Sequence, residues 1–228
     1  GTTSLQMYGR EKKSPTARFK NSIGYYDVFN TAMFLTKEAD SVAFYHKSKL
    51  VPLVESMPYP SVVEALLGGL IIDLGGTSGG LGKQADSEVF RNKQISVAPI
   101  ICYESIYGAY VASYTAKGAG ILCIITNDAW WGDTPGYRQH WQFAKLRAIE
   151  TRRSVARSAN TGLSGFINQK GEEIQKTKYW TRDVRKEKLK ANLKTTFYTW
   201  AGDFLGVIST LLFPLLLIYV VFRKKNTL

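Results

Sequence analysis

An α/β layered fold is predicted for this chain, and three observations predict it. Two short apolar runs, Ile95–Ile101 (ISVAPII) and Gly120–Thr126 (GILCIIT), are bounded by turn residues and read as strands buried on both faces. Helical patterns alternate with them over Ser105–Lys117 and Arg138–Arg153. At 228 residues and 45% hydrophobic, the chain can also bury a sizeable core, which excludes a disordered protein. With 2 Cys, 20 Gly and 7 Pro it is neither a disulfide scaffold nor collagen-like.

In chain order, Ser41–Tyr45 (SVAFY) reads as a short strand. Gly68–Gly82 is glycine-rich and without periodicity, and two readings stand: a lid, or a featureless surface insertion. Ile95–Ile101 delivers Cys102 at its C-terminal end. The helix over Ser105–Lys117 stops at Gly118 and Gly120. After the strand Gly120–Thr126 comes a loop, Asn127–Tyr137. The helix Arg138–Arg153 then sets Trp141, Ala144 and Ala148 on one face. Ser154–Ala159 and Leu163–Asn168 read as strands joined by the tight turn Asn160-Thr161-Gly162, with a further turn at Gln169–Glu172.

Phe204–Phe222 (FLGVISTLLFPLLLIYVVF) holds no charged residue and, as a helix, would be roughly 28 Å long. Tyr198 and Trp200 precede it, where an interfacial aromatic belt would lie. The expectation is one C-terminal transmembrane helix; the competing reading is a buried core helix. Net charge is +12, concentrated in Arg10–Lys20, Arg182–Lys194 and Arg223–Lys225. The last two clusters flank the apolar run, which favours a membrane surface as partner. No nucleic-acid-binding motif accompanies the charge, so no nucleic acid is expected. The chain opens on Gly1 without a charged-then-apolar leader, and it is expected to be part of something longer.

Three places can carry chemistry. Cys102, in Ile101-Cys102-Tyr103-Glu104, lies at a strand-to-helix junction, where free N–H groups lower a thiol's pKa and bind an oxyanion. The residues leave two readings, a nucleophile or a small buried hydrophobe; Cys123, inside ILCIIT, is read as core. Lys47 and Glu55 bracket an apolar-Pro loop and are either surface charges or an oxyanion-stabilising lysine with its carboxylate. Trp130 and Trp131 follow a buried strand in Asn127-Asp128-Ala129-Trp130-Trp131-Gly132, and either line an acyl pocket or pack as core. His46 and His140 have no partner carboxylate at a readable spacing. No metal-ligand spacing appears, and no metal or cofactor is expected.

Taken in order, these segments resemble the nitrilase (carbon-nitrogen hydrolase) superfamily, and within it the apolipoprotein N-acyltransferase branch. Tyr45-x-Lys47-x-x-Leu50-Val51-Pro52-x-x-Glu55 is similar to the family's lysine segment, and Ile101-Cys102-Tyr103-Glu104 to its nucleophile segment. Asn127–Gly132, Gln139-His140, Arg147-Ala148-x-Glu150 and Arg157-Ser158-x-Asn160-x-Gly162 follow in the family's order. Tyr26-Asp27-x-Phe29-Asn30-Thr31 is similar to the strand before the lysine.

The resemblance implies an αββα sandwich, N-terminally incomplete, with residues 1–195 as catalytic domain and 196–228 as transmembrane helix and basic tail. It implies Cys102 as nucleophile and Lys47 as oxyanion stabiliser with the Tyr103 N–H. Glu55 would place Lys47, Glu104 would support the turn by hydrogen bonding, and Trp130 would shape the pocket. The family's general-base glutamate has no match in Gly1–Tyr25. Glu11 sits among Arg10, Lys12 and Lys13 with no strand before it, so the base is expected outside this chain, and the chain alone is expected to be inactive. The implied reaction moves an acyl chain from a phospholipid, through a Cys thioester, to the N-terminal amine of a diacylglyceryl-cysteine lipoprotein. The implied location is the bacterial inner membrane, with the domain periplasmic and the tail cytoplasmic. A membrane-anchored amidase and a non-catalytic nitrilase-like scaffold remain as alternatives.

Overall fold

The computed structural model describes residues 1–36, 42–52, 54–56 and 80–225. Its larger sheet has six strands: β5 (Phe90–Arg91), β6 (Ser96–Ile101), β7 (Ile121–Thr126), β8 (Ser154–Ala159), β9 (Gly165–Ile167) and β10 (Glu173–Ile174), in the order β10-β9-β8-β7-β6-β5. The central three are parallel, with Ile101 beside Ile125 and Thr126 beside Ala159; the outer pairings are antiparallel. Ile100, Leu122, Ile124, Val155 and Ile167 are buried, as expected of strands covered on both faces. Two helices cover one face: α1 (Gly108–Ala116) and α2 (Pro135–Thr151). The predicted stripe of Trp141, Ala144 and Ala148 is buried.

Boundaries moved where local chemistry overrode periodicity. Helix α2 begins three residues before the expected Arg138, because Thr134 caps Gly136 N and Pro135 fits the first turn. The helix expected over Ser105–Lys117 is broken. Cys102–Ile106 is a 3-10 turn, Tyr107 is extended, and α1 starts at Gly108. Glu104 causes the break: its buried carboxylate turns back to accept from Ile101 N at 2.8 Å. The strand expected over Leu163–Asn168 is confined to Gly165–Ile167.

A second, antiparallel sheet was foreseen only in part. It comprises β1 (Thr2–Gly9), β2 (Arg18–Lys20), β3 (Gly24–Phe34) and β4 (Ala43–His46), in the order β1-β3-β2, with β4 also on β3. The expectation that no strand precedes Glu11 is therefore wrong. Strand β1 escaped notice because its apolar residues mark no buried stripe: Leu5 is 53% and Met7 60% exposed. Position 41 of the expected first strand, and positions 68–79 of the expected lid, lie outside the described residues.

The two sheets meet face to face, and Ala32 and Tyr45 join the core of Ile100 and Ile101. Alternation along the parallel strands sorts the two faces. Ile101 and Ile125 turn toward the smaller sheet, and Arg157, at the register of Ile124, turns toward α2. Among the described residues the layers are thus helix, sheet, sheet.

Beyond β10 the chain returns as a strap over residues 187–196. Arg153, fully buried, holds it by donating to Ala119 O, Thr151 O and Lys194 O at 2.8, 2.8 and 2.9 Å. Ser154 Oγ donates to Lys190 O at 2.8 Å and Thr196 Oγ1 to Glu150 O at 2.7 Å. The strap leads into α3 (Phe197–Ala201) and then α4 (Phe204–Lys225), whose apolar side chains, such as Leu205, Phe213 and Phe222, are exposed. Among the described residues no helix is long and apolar enough to cross a membrane, so the helix expected over Phe204–Phe222 is observed but not its spanning.

Candidate active site

Cys102 sits where β6 ends, with φ +51°, a left-handed conformation uncommon outside glycine. Such a conformation costs on the order of 1–3 kcal/mol and persists only where neighbours hold it. Glu104 is one such neighbour. It is fully buried and accepts from Ile101 N (2.8 Å), Ser48 N (2.7 Å), Lys49 N (3.2 Å) and Tyr45 Oη (2.6 Å). One carboxylate thus fastens the Cys102 turn to the loop carrying Lys47. Burial pushes the Glu104 carboxyl above its ordinary value, against the pull of those donors.

Lys47 reaches the site from the smaller sheet. Its N–H donates to Asn30 O at 2.8 Å, extending the β3–β4 pairing by one residue. Its side chain is 1% exposed, and Nζ lies 2.7 and 2.9 Å from the two Glu55 oxygens. Glu55 also accepts from Asn30 Nδ2 (2.7 Å) and Val51 N (2.8 Å), so every direction around its carboxylate is used. A buried ammonium in such a pair keeps its position and its remaining donor capacity.

Cys102, Lys47 and Glu55 all line one cleft of about 800 Å³ between the two sheets, with Asn127, Trp130 and Arg182. Trp130 stands 72% exposed at its edge, while Trp131 packs on Gly136. Tyr103, next to the thiol, sets its ring edge against Tyr107 at 5.3 Å. The carboxylates lining the cleft among the described residues are Glu55 and Asp183; Glu11 is exposed and does not line it. Cys123 packs against the core, where burial pushes its thiol up to about 11.

Sequence reasoning missed one group. His140 does have a carboxylate: Nδ1 lies 2.9 Å from Asp128 Oδ1. Arg157 Nη2 donates to Asp128 Oδ2 at 2.5 Å, and Thr126 Oγ1 to Oδ1 at 2.9 Å. Burial would raise the Asp128 carboxyl, but the His140 hydrogen bond and the Arg157 charge outweigh it and hold it below its ordinary value. The signal was present in α2. His140 and Arg147 share the buried stripe of Tyr137, Trp141 and Ala144, and a polar residue in such a stripe implies a polar partner. The partners lay 12 and 17 residues away, beyond any local spacing rule. His46 instead pairs with a hydroxyl, Thr31 Oγ1, at 2.8 Å.

Cys102, on a sharp strand-to-helix turn of the larger sheet, and Lys47, held by Glu55 on the smaller sheet's side, thus share one cleft. Residues 15–198 match the carbon-nitrogen hydrolase family, and the chain belongs to it. Among curated proteins it is similar to apolipoprotein N-acyltransferases. That of Chlorobaculum tepidum is 32% identical over 204 residues, covering 88% of this chain and 38% of that protein. That of Wigglesworthia glossinidia brevipalpis is 28% identical, covering 79% of this chain and 36% of the relative. That of Allorhizobium ampelinum is 36% identical, covering 63% and 26%. The chain therefore spans well under half the length of these relatives. Among solved structures, it aligns with an amidase from Nesterenkonia sp. at TM-score 0.48 and 16% identity, over 67% of this chain and 51% of that one. It also aligns with a carbon-nitrogen hydrolase from Helicobacter pylori G27 at TM-score 0.47 and 13% identity, over 66% and 52%.

Proposed function

We propose that this chain is the catalytic part of an acyltransferase that carries a fatty acyl group on Cys102. The observation that carries the reading is the convergence of Cys102 with the Lys47–Glu55 pair on one cleft, in a chain whose curated relatives are N-acyltransferases. The Cys102 thiolate attacks an ester carbonyl of a membrane phospholipid. The negative charge forming on the carbonyl oxygen is stabilised by Lys47 Nζ and the N–H of Tyr103. The tetrahedral adduct collapses, the lysophospholipid leaves as its alcohol with a proton, and a thioester remains on Cys102. The α-amine of a diacylglyceryl-cysteine lipoprotein then attacks the thioester, forming the amide and returning the thiol. No cofactor enters, because thioester to amide is downhill.

Glu55 holds Lys47, Glu104 holds the nucleophile turn, and Trp130 borders the acyl channel. The proton acceptor for Cys102 is a glutamate other than Glu55 and outside the described residues, since Glu55 is engaged by Lys47, Asn30 and Val51. Residues 1–195 form the catalytic domain, the inner part of an αββα sandwich, and α4 within 196–228 anchors it in the bacterial inner membrane. The exposed apolar side chains of α4 and its basic flanks support that anchoring.

The test is transfer from a fluorescent phospholipid to a synthetic diacylated lipopeptide, using the protein with its flanking sequence in detergent. N-acylated peptide supports the reading. Free fatty acid without N-acyl peptide would instead identify a hydrolase.

A further inference from the structure

Beneath Cys102, on the helix side of the larger sheet, lies a buried polar group that the reaction above does not use. The Cys102 carbonyl oxygen accepts from Ser105 Oγ at 2.8 Å and lies 3.1 Å from His140 Nε2. Ser105 Oγ and His140 Nε2 are themselves 2.8 Å apart, so the three atoms form a closed triangle. The far side of the imidazole is fixed by Asp128, and Asp128 by Arg157, whose Nε also donates to Leu163 O at 3.0 Å. Ser105, Asp128, His140 and Arg157 are all buried. The group joins four elements: the turn after β6, the loop after β7, helix α2 and strand β8.

A buried ion pair is weak grounds for a stability role, because two desolvated charges gain little over apolar packing. What the arrangement does is local. It grips one atom, the carbonyl of the residue whose φ is +51°. The orientation of that peptide sets both the direction of the thiol and that of the Tyr103 N–H. Misplacing a reacting group by 1 Å costs on the order of 10²-fold in rate.

We propose that His140, oriented by Asp128 and Arg157, is a positioning residue that clamps the Cys102 carbonyl and thereby aims the thiol and the neighbouring N–H. The inference rests on Cys102 being the nucleophile of the proposed reaction.

The test uses the protein with its flanking sequence in detergent and a Cys123→Ser background. It compares parent, His140→Ala, His140→Gln and Ser105→Ala. Acyl-thioester formation is followed in single turnover by mass spectrometry against phospholipid concentration, Cys102 alkylation by iodoacetamide is timed separately, and folded fraction is read from circular dichroism melts. The clamp predicts that His140→Ala lowers the limiting acylation rate by about 10²-fold, with half-saturation unchanged. His140→Gln, whose amide offers both a donor and an acceptor, recovers much of that loss, and Ser105→Ala shows a smaller one. An unchanged limiting rate in folded His140→Ala overturns the clamp and leaves the acyltransferase reading standing. A loss that merely follows unfolding, with His140→Gln no better, also overturns it. If the parent forms no thioester while its alkylation still depends on His140, the clamp holds and the acyl-donor reading fails.

Discussion

Replacing Lys47 by Met separates what the lysine does for the fold from the part proposed for it in the reaction. Met keeps the stem that fills the site and removes the ammonium. In the parent, Nζ is bound to both Glu55 oxygens at 2.7 and 2.9 Å, and the side chain is 1% exposed. Removing one partner of a buried pair costs about 3–5 kcal/mol. Glu55 keeps two donors, Asn30 Nδ2 and Val51 N, and is 16% exposed, so the lower end of that range, about 3 kcal/mol, applies. Losing an oxyanion donor costs about 2.7–4 kcal/mol of transition-state stabilisation, or roughly 10²–10³-fold in rate. The two penalties are similar in size, so a melting curve alone cannot distinguish the roles. Single-turnover acylation of Cys102, normalised to folded protein, does so: Lys47→Met should be slower by roughly 10²–10³-fold. Lys49 is the control, because its ammonium lies over the Tyr110 ring at 5.1 Å and not in the cleft. Lys49→Met should acylate near the parent rate. Equal losses in the two variants, or a parent-like rate per folded Lys47→Met molecule, would refute the reasoning.

Cys102→Ser should abolish the acyl adduct seen by mass spectrometry while Cys123→Ser retains it, since burial leaves the Cys123 thiol protonated. A Cβ at Gly162 would overlap the Asp128 carboxylate, so Gly162→Ala should cost about 1–3 kcal/mol by chemical denaturation. Glu173 is held down to about 2: burial would raise it, but hydrogen bonds from Lys176, Trp141 and Lys145 prevail. A depressed acid stabilises above its unfolded value, near 4.5, and loses that contribution as pH falls through about 2. Glu173→Gln should therefore lower the melting temperature at pH 6 and have little effect near pH 2; an equal drop at both would contradict the assignment.

Strands β6 and β7 were legible because they are apolar on both faces, β8 and β9 because a tight turn separates them, and the long helix by its apolar stripe; β5 and β10, two residues each, were too short to read. Cys102 was legible because it ends an apolar strand beside polar residues. Lys47 and Glu55 were singled out with two readings open, and spacing alone could not say whether a charged loop faces water or a cleft. Strand β1 was not legible: its Leu5-Gln6-Met7 alternation is too short to stand out, and Leu5 and Met7 point outward. The Asp128–His140–Arg157 group was illegible for another reason, since its bonds are made across β7, α2 and β8 and no local rule reaches that far. The break at Tyr107 shows the same override at short range, where one buried carboxylate redirected a helix that periodicity had started three residues too early.

The strap held by Arg153 has a mechanical consequence. Because it is bonded to Arg153, Ser154 and Glu150, it moves with the body that carries the cleft, and α3 follows it directly. Gly202, at φ +64° with open space where a side chain would stand, is the joint between α3 and α4. Gly202 and Asp203 alone separate the two helices, so the backbone angles taken up there set how the final helix lies against the body that carries the cleft. Stiffening Gly202 would alter the angle between the final helix and the body while leaving every atom of the site in place.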